Sequence, residues 1–285
     1  MRIGHIINPV KVSEDRDLHW QQPIVFETMV KAAGFVAHHE EIIVSLFATH
    51  YPEDEEAVPI WMSRTEPLER SVLDLQDFAI PKKLPLFKDI LQGLYDTSNA
   101  DYFVYTNADI CVMPHFYVFI KDMIEKGHDS FAINKRIIPE ELKDEGLPVM
   151  WSNIGTPHAG MDCFVFRREL FPLFRLGNSC VGAPWGECNI VTNLIAFAKN
   201  FSVFREQHVT FGIGDRRDWR PHVFNDYRVH CTNEYARMLR RLSQRNRKIL
   251  KHDITKYLLG KLKGEVRGYR NEIYSDDCWY FVNKK

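Results

Sequence analysis

Two oxygen-bearing side chains, Asn107 and Asp109, follow directly on the apolar run Tyr102-Phe103-Val104-Tyr105-Thr106. Aromatic and β-branched residues of this kind read as a buried strand, which places the polar pair where a strand runs out. In extended backbone, residues two apart point the same way, so Asn107 and Asp109 can face one hard cation or one sugar hydroxyl together. A second cluster is His158-Ala-Gly-Met-Asp162, which leads into the apolar Cys-Phe-Val-Phe. Gly160 lets backbone come close to a ligand, and Asp162 can accept hydrogen bonds from hydroxyls. A third is Trp185-Gly186-Glu187, ahead of an apolar helix expected over 190–198. Trp185 offers a flat apolar face on which a pyranose ring can stack. Glu187 is a candidate base, and Asp162 competes for that role. Transfer with inversion needs one group to take the proton of an attacking hydroxyl. Each feature also has a plain structural use, as a strand-ending turn or as a helix cap.

A strand that ends in Asp-X-Asp, then an apolar residue and a Pro-X-Phe-like helix start, resembles the nucleotide-sugar and metal motif of the GT-A glycosyltransferases. Here Asn107 stands in the first acidic place and Asp109 keeps the carboxylate. The segment from Val181 to Asn189 is similar in part to the Trp-Gly-X-Glu-Asp stretch of the inverting β-1,4-galactosyltransferases. No residue separates Gly186 from Glu187, however, and Cys188 and Asn189 follow. The resemblance implies an α/β fold with a GT-A-like (Rossmann-like), mostly parallel central sheet flanked by helices. It also implies a nucleotide-diphospho-sugar donor and a hydroxyl acceptor on a glycan or glycolipid, with inversion favoured over retention. The implied donor-binding residues are Asn8, Pro9, Lys88, Asn107, Asp109, Arg216 and Arg217. Of these, Arg216 and Arg217 would neutralise the departing diphosphate through bidentate hydrogen bonds. Trp185 and His158 are the implied sugar- and acceptor-binding residues. Asp109 and His208 are the implied ligands of Mn²⁺ or Mg²⁺, the ions that suit oxygen donors with one imidazole, and His222 and His230 are rivals for the place of His208.

Positioning these residues requires a sheet. Arg2 to Val10 reads as a first strand, Leu18 to Ala33 as a helix closing at Gly34, and Ile42 to Ala48 as a second strand, together a βαβ unit. A short strand is expected near 60–62, a strand or loop at 72–78, and a helix from Leu84 to about Tyr95 that feeds the central strand. A helix from Phe116 to Lys126 and a strand over 129–133 follow. The segment 139–157, with several Gly and Pro, is expected to be a mobile loop over the site. Asn8 and Pro9 would then share one sheet edge with Asp109.

With 285 residues, 45% hydrophobic and 26% charged, the chain is ordinary globular material of net charge -1. Its charge is uneven, because Tyr235 to Arg270 holds twelve Lys or Arg against Asp253 and Glu265. A helical stripe there, as one long helix or two, has a basic face suited to anionic lipid, and its sparse aromatic residues argue against nucleic acid as a partner. The expected organisation is a catalytic domain over 1–232 and a basic helical extension over 233–285. Six scattered cysteines without a C-x-x-C pair, a short apolar start and no long apolar run point to a cytoplasmic protein, peripheral at most to the inner face of a membrane. A sugar-1-phosphate nucleotidyltransferase would carry a glycine-rich phosphate loop after the first strand, and Asn8-Pro9-Val10-Lys11 has no glycine. The alternative to an enzyme is a non-catalytic nucleotide-sugar or carbohydrate-binding protein of the same fold.

Overall fold

The computed structural model describes residues 1–38, 41–214, 222–269 and 272–283. Eleven strands and eight α-helices follow one another among these residues, with short 3-10 turns between them. In order they are β1 (Arg2–Ile7), α1 (Asp17–Val36), β2 (Ile43–Ala48), β3 (Ser63–Arg64), α2 (Phe87–Thr97), β4 (Tyr102–Thr106), β5 (Cys111–Val112), α3 (Phe116–Glu125), β6 (Ser130–Ile133) and β7 (Arg136–Ile138). There follow α4 (Leu147–Ser152), β8 (Thr156–Pro157), β9 (Cys163–Arg167), α5 (Gly186–Phe197), β10 (Phe201–Phe204), β11 (Thr210–Ile213), α6 (Asn225–Arg245), α7 (Asp253–Gly268) and α8 (Asp276–Asn283).

Two compact units emerge. One is built from 1–69, 90–172 and the described part of 198–216, the other from 70–89, 173–197 and the described part of 217–285. The first holds every strand. Its large sheet runs β10-β6-β9-β4-β1-β2-β3, with β9 antiparallel to both neighbours and the other pairs parallel. This is the expected mostly parallel central sheet of an α/β fold. A smaller sheet, β5-β11-β7-β8, lies in the same unit.

Strand β4 is buried at all five positions, as its aromatic and β-branched residues require. Beside it in β1 stands His5, fully buried, its ring nitrogens 2.8 Å from the Tyr117 hydroxyl and 2.9 Å from Thr106 Oγ1. That pair of bonds ties the last residue of β4 to the sheet, one step before Asn107.

The sequence reading needs correction at several elements. Helix α1 does not stop at Gly34. It continues to Val36, whose side chain is 1% exposed in the core, and burial of that residue outweighs the glycine's tendency to end a helix. The short strand near 60–62 forms at 63–64, and 72–74 is a 3-10 turn capped by Ser71. Residues 139–157 are not an unstructured loop, since Leu147 and Met150 anchor α4 and β8 pairs with β7.

The second unit is helical. Helix α6 buries Tyr227, Cys231, Tyr235, Met238, Leu239 and Leu242 at helical spacing. The basic stretch is therefore two α-helices joined by a 3-10 turn, and residue 232 lies inside α6 rather than at a break in the chain. The aromatic tail packs inward through Tyr274 and Phe281. Many of the basic side chains here have acidic partners: Arg228 with Glu265, Arg237 with Glu234, and Arg240 with Asp277 at 2.7 Å. Among the described residues no helix is long and apolar enough to cross a membrane.

Candidate active site

The order of the large sheet reverses between β1 and β4, two parallel strands from which the chain winds outward on either side. Ligands of open α/β sheets bind outside the carboxyl ends of strands at such a switch point. The residues that follow β1, β4 and β6, and those that precede the antiparallel β9, all lie along this edge.

After β1, Asn8 donates its amide to Thr49 O at 2.8 Å, tying the ends of β1 and β2 together, and Pro9 is buried. Pro9 thus serves packing more than contact with a base. After β4, Asn107 Oδ1 accepts a hydrogen bond from the Tyr105 hydroxyl at 2.6 Å, within one strand end. Asp109 is ion-paired with Lys135, Nζ to Oδ2 at 2.8 Å.

Lys135 follows β6 as Asn107 follows β4, and its stem passes over Gly212 of β11. A Cβ added there would meet Lys135 Cδ at 3.1 Å, so the glycine keeps room for the lysine. Burial opposes charge on Lys135, yet Asp109 and Asp162 together outweigh it and raise its pKa above the ordinary lysine value. In the sequence, Asn134-Lys135-Arg136 reads as a polar strand end, with no role at the site assigned to the lysine.

Asp162 precedes β9 and is 9% exposed. Burial would push its pKa up, but the His158 hydrogen bond and the charge of Lys135 hold it below the usual carboxylate range. His158 Nδ1 lies 3.0 Å from Asp162 Oδ2 and 3.1 Å from the Gly160 N–H. A Cβ on Gly160 would fall 2.6 Å from His158 Cε1, so a side chain at position 160 would displace the imidazole. The structure thus joins Asp109, Lys135, Asp162 and His158 into one polar chain along the edge.

Other expected site residues belong to the helical unit or lie outside the described residues. Lys88 is exposed on the first turns of α2, in the helical unit. Trp185, also in that unit, is 9% exposed, with its ring 5.1 Å from that of Tyr235. Its backbone is left-handed, φ 76°, a conformation that a bulky residue holds only when its surroundings fix it. Here the buried indole serves the core and presents no free face to a sugar. Glu187 sits in the first turn of α5, in the same unit. Arg216 and Arg217 lie outside the described residues.

The expected metal ligands are Asp109 and His208. His208 lies within electrostatic reach of Arg136 and His115. Burial first, and then these cations, lower its pKa below the ordinary histidine value. Among the described residues no group of three or more His, Cys, Asp or Glu side chains converges as a metal site. With the Asp109 carboxylate on Lys135 and the Asn107 oxygen on Tyr105, the donor set does not fit a divalent ion. Cys111 and Cys163, near the same edge, are pushed up by burial and are inert as nucleophiles.

A groove of about 720 Å³ opens on the small sheet, lined among others by Ile138, Asn153, Gly155, Thr156 and Gly214. A second, of about 390 Å³, lies by Arg2, Ser45, Ser98 and Arg168, at the opposite, amino end of β1. Neither groove is lined by Asp109, Lys135, His158 or Asp162.

No protein-family model matches this sequence, and no curated protein matches it. Solved structures do resemble it in fold. S. aureus TarS residues 1–349 in complex with UDP-GlcNAc is 8% identical, with a TM-score of 0.49 over 86% of this chain and 73% of that one. Glucosyl-3-phosphoglycerate synthase from Mycobacterium tuberculosis, in complex with Mn²⁺, UDP-glucose and phosphoglyceric acid, is 12% identical, with a TM-score of 0.46 over 85% of this chain and 79% of that one.

Proposed function

We propose that this chain is a glycosyltransferase that moves a sugar from a nucleotide-diphospho-sugar to a hydroxyl acceptor, a glycan or glycolipid, with inversion at the anomeric carbon. One observation carries the reading: Asn8, Asn107, Asp109, Lys135 and Asp162 gather at the carboxyl edge of a mostly parallel sheet, where its strand order reverses. Hydroxyls of the donor would find an acceptor in the Asp109 carboxylate, and its diphosphate a cation in Lys135. Arg216 and Arg217 are proposed to add to that charge.

Thermal-shift titration with UDP-, GDP- and dTDP-sugars tests the reading. At least one is expected to raise the Tm, and Asp109→Ala is expected to abolish the shift. An unchanged shift in that variant would place the donor elsewhere. Donor hydrolysis by the wild type separates turnover from mere carbohydrate binding.

Membrane contact is proposed for the exposed Arg241, Arg245, Arg247, Lys248 and Lys251, clustered at the turn between α6 and α7. Basic side chains near an anionic surface contribute about 1 kcal/mol each. The protein is expected to sediment with phosphatidylserine-containing vesicles at low salt and to be released by high salt. Failure to sediment at low salt would remove the proposal.

A further inference from the structure

We propose that His158 is the base of the transfer and that Asp162, which competed with Glu187 for that role in the sequence, is the residue that positions it. The inference rests on the glycosyltransferase reading above. Three observations lead to it.

First, the Asp162 carboxylate is already engaged. One oxygen, Oδ2, faces His158 Nδ1 at 3.0 Å and the Lys135 backbone N–H at 3.4 Å, and the Lys135 charge acts on it as well. A carboxylate so stabilised is a weak base, and its side chain is 12% exposed against 23% for His158. The atom of this pair that an acceptor can reach belongs to the imidazole.

Second, the tautomer follows from the contact. The Gly160 N–H, aimed at Nδ1 from 3.1 Å, calls for a lone pair there, whereas the ionised Asp162 carboxylate 3.0 Å away calls for a proton; the buried negative charge is the stronger partner and sets the proton on Nδ1. Neutral His158 therefore carries its lone pair on Nε2, which makes no hydrogen bond with any described residue. This is the arrangement in which a buried acid orients an imidazole and stabilises the imidazolium that forms.

Third, the backbone that carries the ring is held in place. Its own backbone N–H donates to Lys135 O at 3.1 Å and its carbonyl accepts from Asn134 Nδ2 at 3.1 Å, which fixes it to the end of β6. Gly160 leaves the ring the room that a side chain would take.

In the step, His158 Nε2 takes the proton of the acceptor hydroxyl as that oxygen bonds to the anomeric carbon. The bond from that carbon to the diphosphate oxygen breaks, and its electron pair leaves with the nucleoside diphosphate. The imidazolium, stabilised by Asp162, then gives the proton to water.

The experiment measures hydrolysis of UDP-, GDP- and dTDP-glucose, with water as acceptor, by the wild type, His158→Ala, His158→Gln and Asp162→Asn. Loss of a positioned base lowers kcat about 10²- to 10⁴-fold. That loss is expected in all three variants, with donor KM and Tm unchanged in His158→Gln. Imidazole added to His158→Ala is expected to restore part of the rate and to do nothing for Asp109→Ala. Full kcat in His158→Ala overturns the proposal and leaves glycosyl transfer standing. A rate loss that imidazole does not relieve and that tracks a fall in Tm overturns it too. If the wild type neither binds nor hydrolyses any of the three, the functional reading falls, and this inference with it.

Discussion

Lowering the pH from 7 to 4 is expected to destabilise this protein steeply, by about 1.4 kcal/mol for each unit below the ordinary histidine pKa, because of a single side chain, His5. The imidazole is fully buried in β1, and burial lowers its pKa from 6.5 to about 3. Above pH 6.5 it is neutral whether the chain is folded or not, and it costs nothing. Below that value the unfolded chain takes up a proton that the folded one refuses, so stability falls until the pH reaches about 3. Over that window the loss amounts to roughly 4–5 kcal/mol, a large part of the 5–15 kcal/mol by which domains are usually stable. Urea unfolding of wild type and His5→Gln at pH 7, 6, 5 and 4 checks this. The variant is expected to be less stable at pH 7, having lost contacts to Tyr117 and Thr106, but to show a much flatter acid limb. Equal slopes in the two proteins would show that the ring is protonated in the folded state. The effect bears on the site because the bond from His5 to Thr106 fixes the strand end that carries Asn107 and Asp109.

How much of this was legible in the sequence differs by kind of residue. The strand 102–106 and the polar step after it could be read because burial on both faces demands an unbroken aromatic and β-branched run, and a polar residue can only begin where the run ends. For the same reason β1 and β6 came within a few residues of their expected bounds. Gly34 misled because a glycine ends a helix only if nothing beyond it needs burying, and Val36 did. Trp185 misled in another way. Its type suits a sugar face, but its left-handed backbone and its packing against Tyr235 are tertiary facts that no local pattern encodes. Lys135 was legible only as part of the polar strand end Asn134-Lys135-Arg136, with nothing local to set it apart. What distinguishes it is the convergence of Asp109 and Asp162, which lie 26 and 27 residues away in the chain. His5 left no mark at all, since a histidine within an apolar strand looks the same whether its nitrogens find partners or not.

Replacing Lys135 by Met is expected to lower stability by about 2 kcal/mol at pH 7 and to make the site responsive to a divalent ion. Removing one partner of a buried pair costs about 3–5 kcal/mol, and the figure here is reduced because the Asp109 side chain is one-third exposed, at 33%, and can rehydrate. The sign with pH follows from the two shifts. Asp162 titrates below its ordinary value, so its contribution is present above about pH 4 and is lost as the pH falls through the folded value. Lys135 titrates above its ordinary value, so its contribution is complete below about pH 10.4 and is lost as the pH rises through the folded value. The difference between wild type and Lys135→Met should therefore be widest across the neutral range and shrink towards pH 3, where the acids are protonated. His5 acts equally in both proteins and cancels. The same substitution leaves Asp109 and Asp162 without the ammonium that both had acted on, and millimolar Mn²⁺ is then expected to raise the Tm of the variant while leaving the wild type unchanged. Asp109→Asn added to the variant should abolish that gain. A wild-type Tm that rises with Mn²⁺ as much as the variant's would show that the lysine yields its place to the ion, and that this carboxylate edge accepts a metal as it stands.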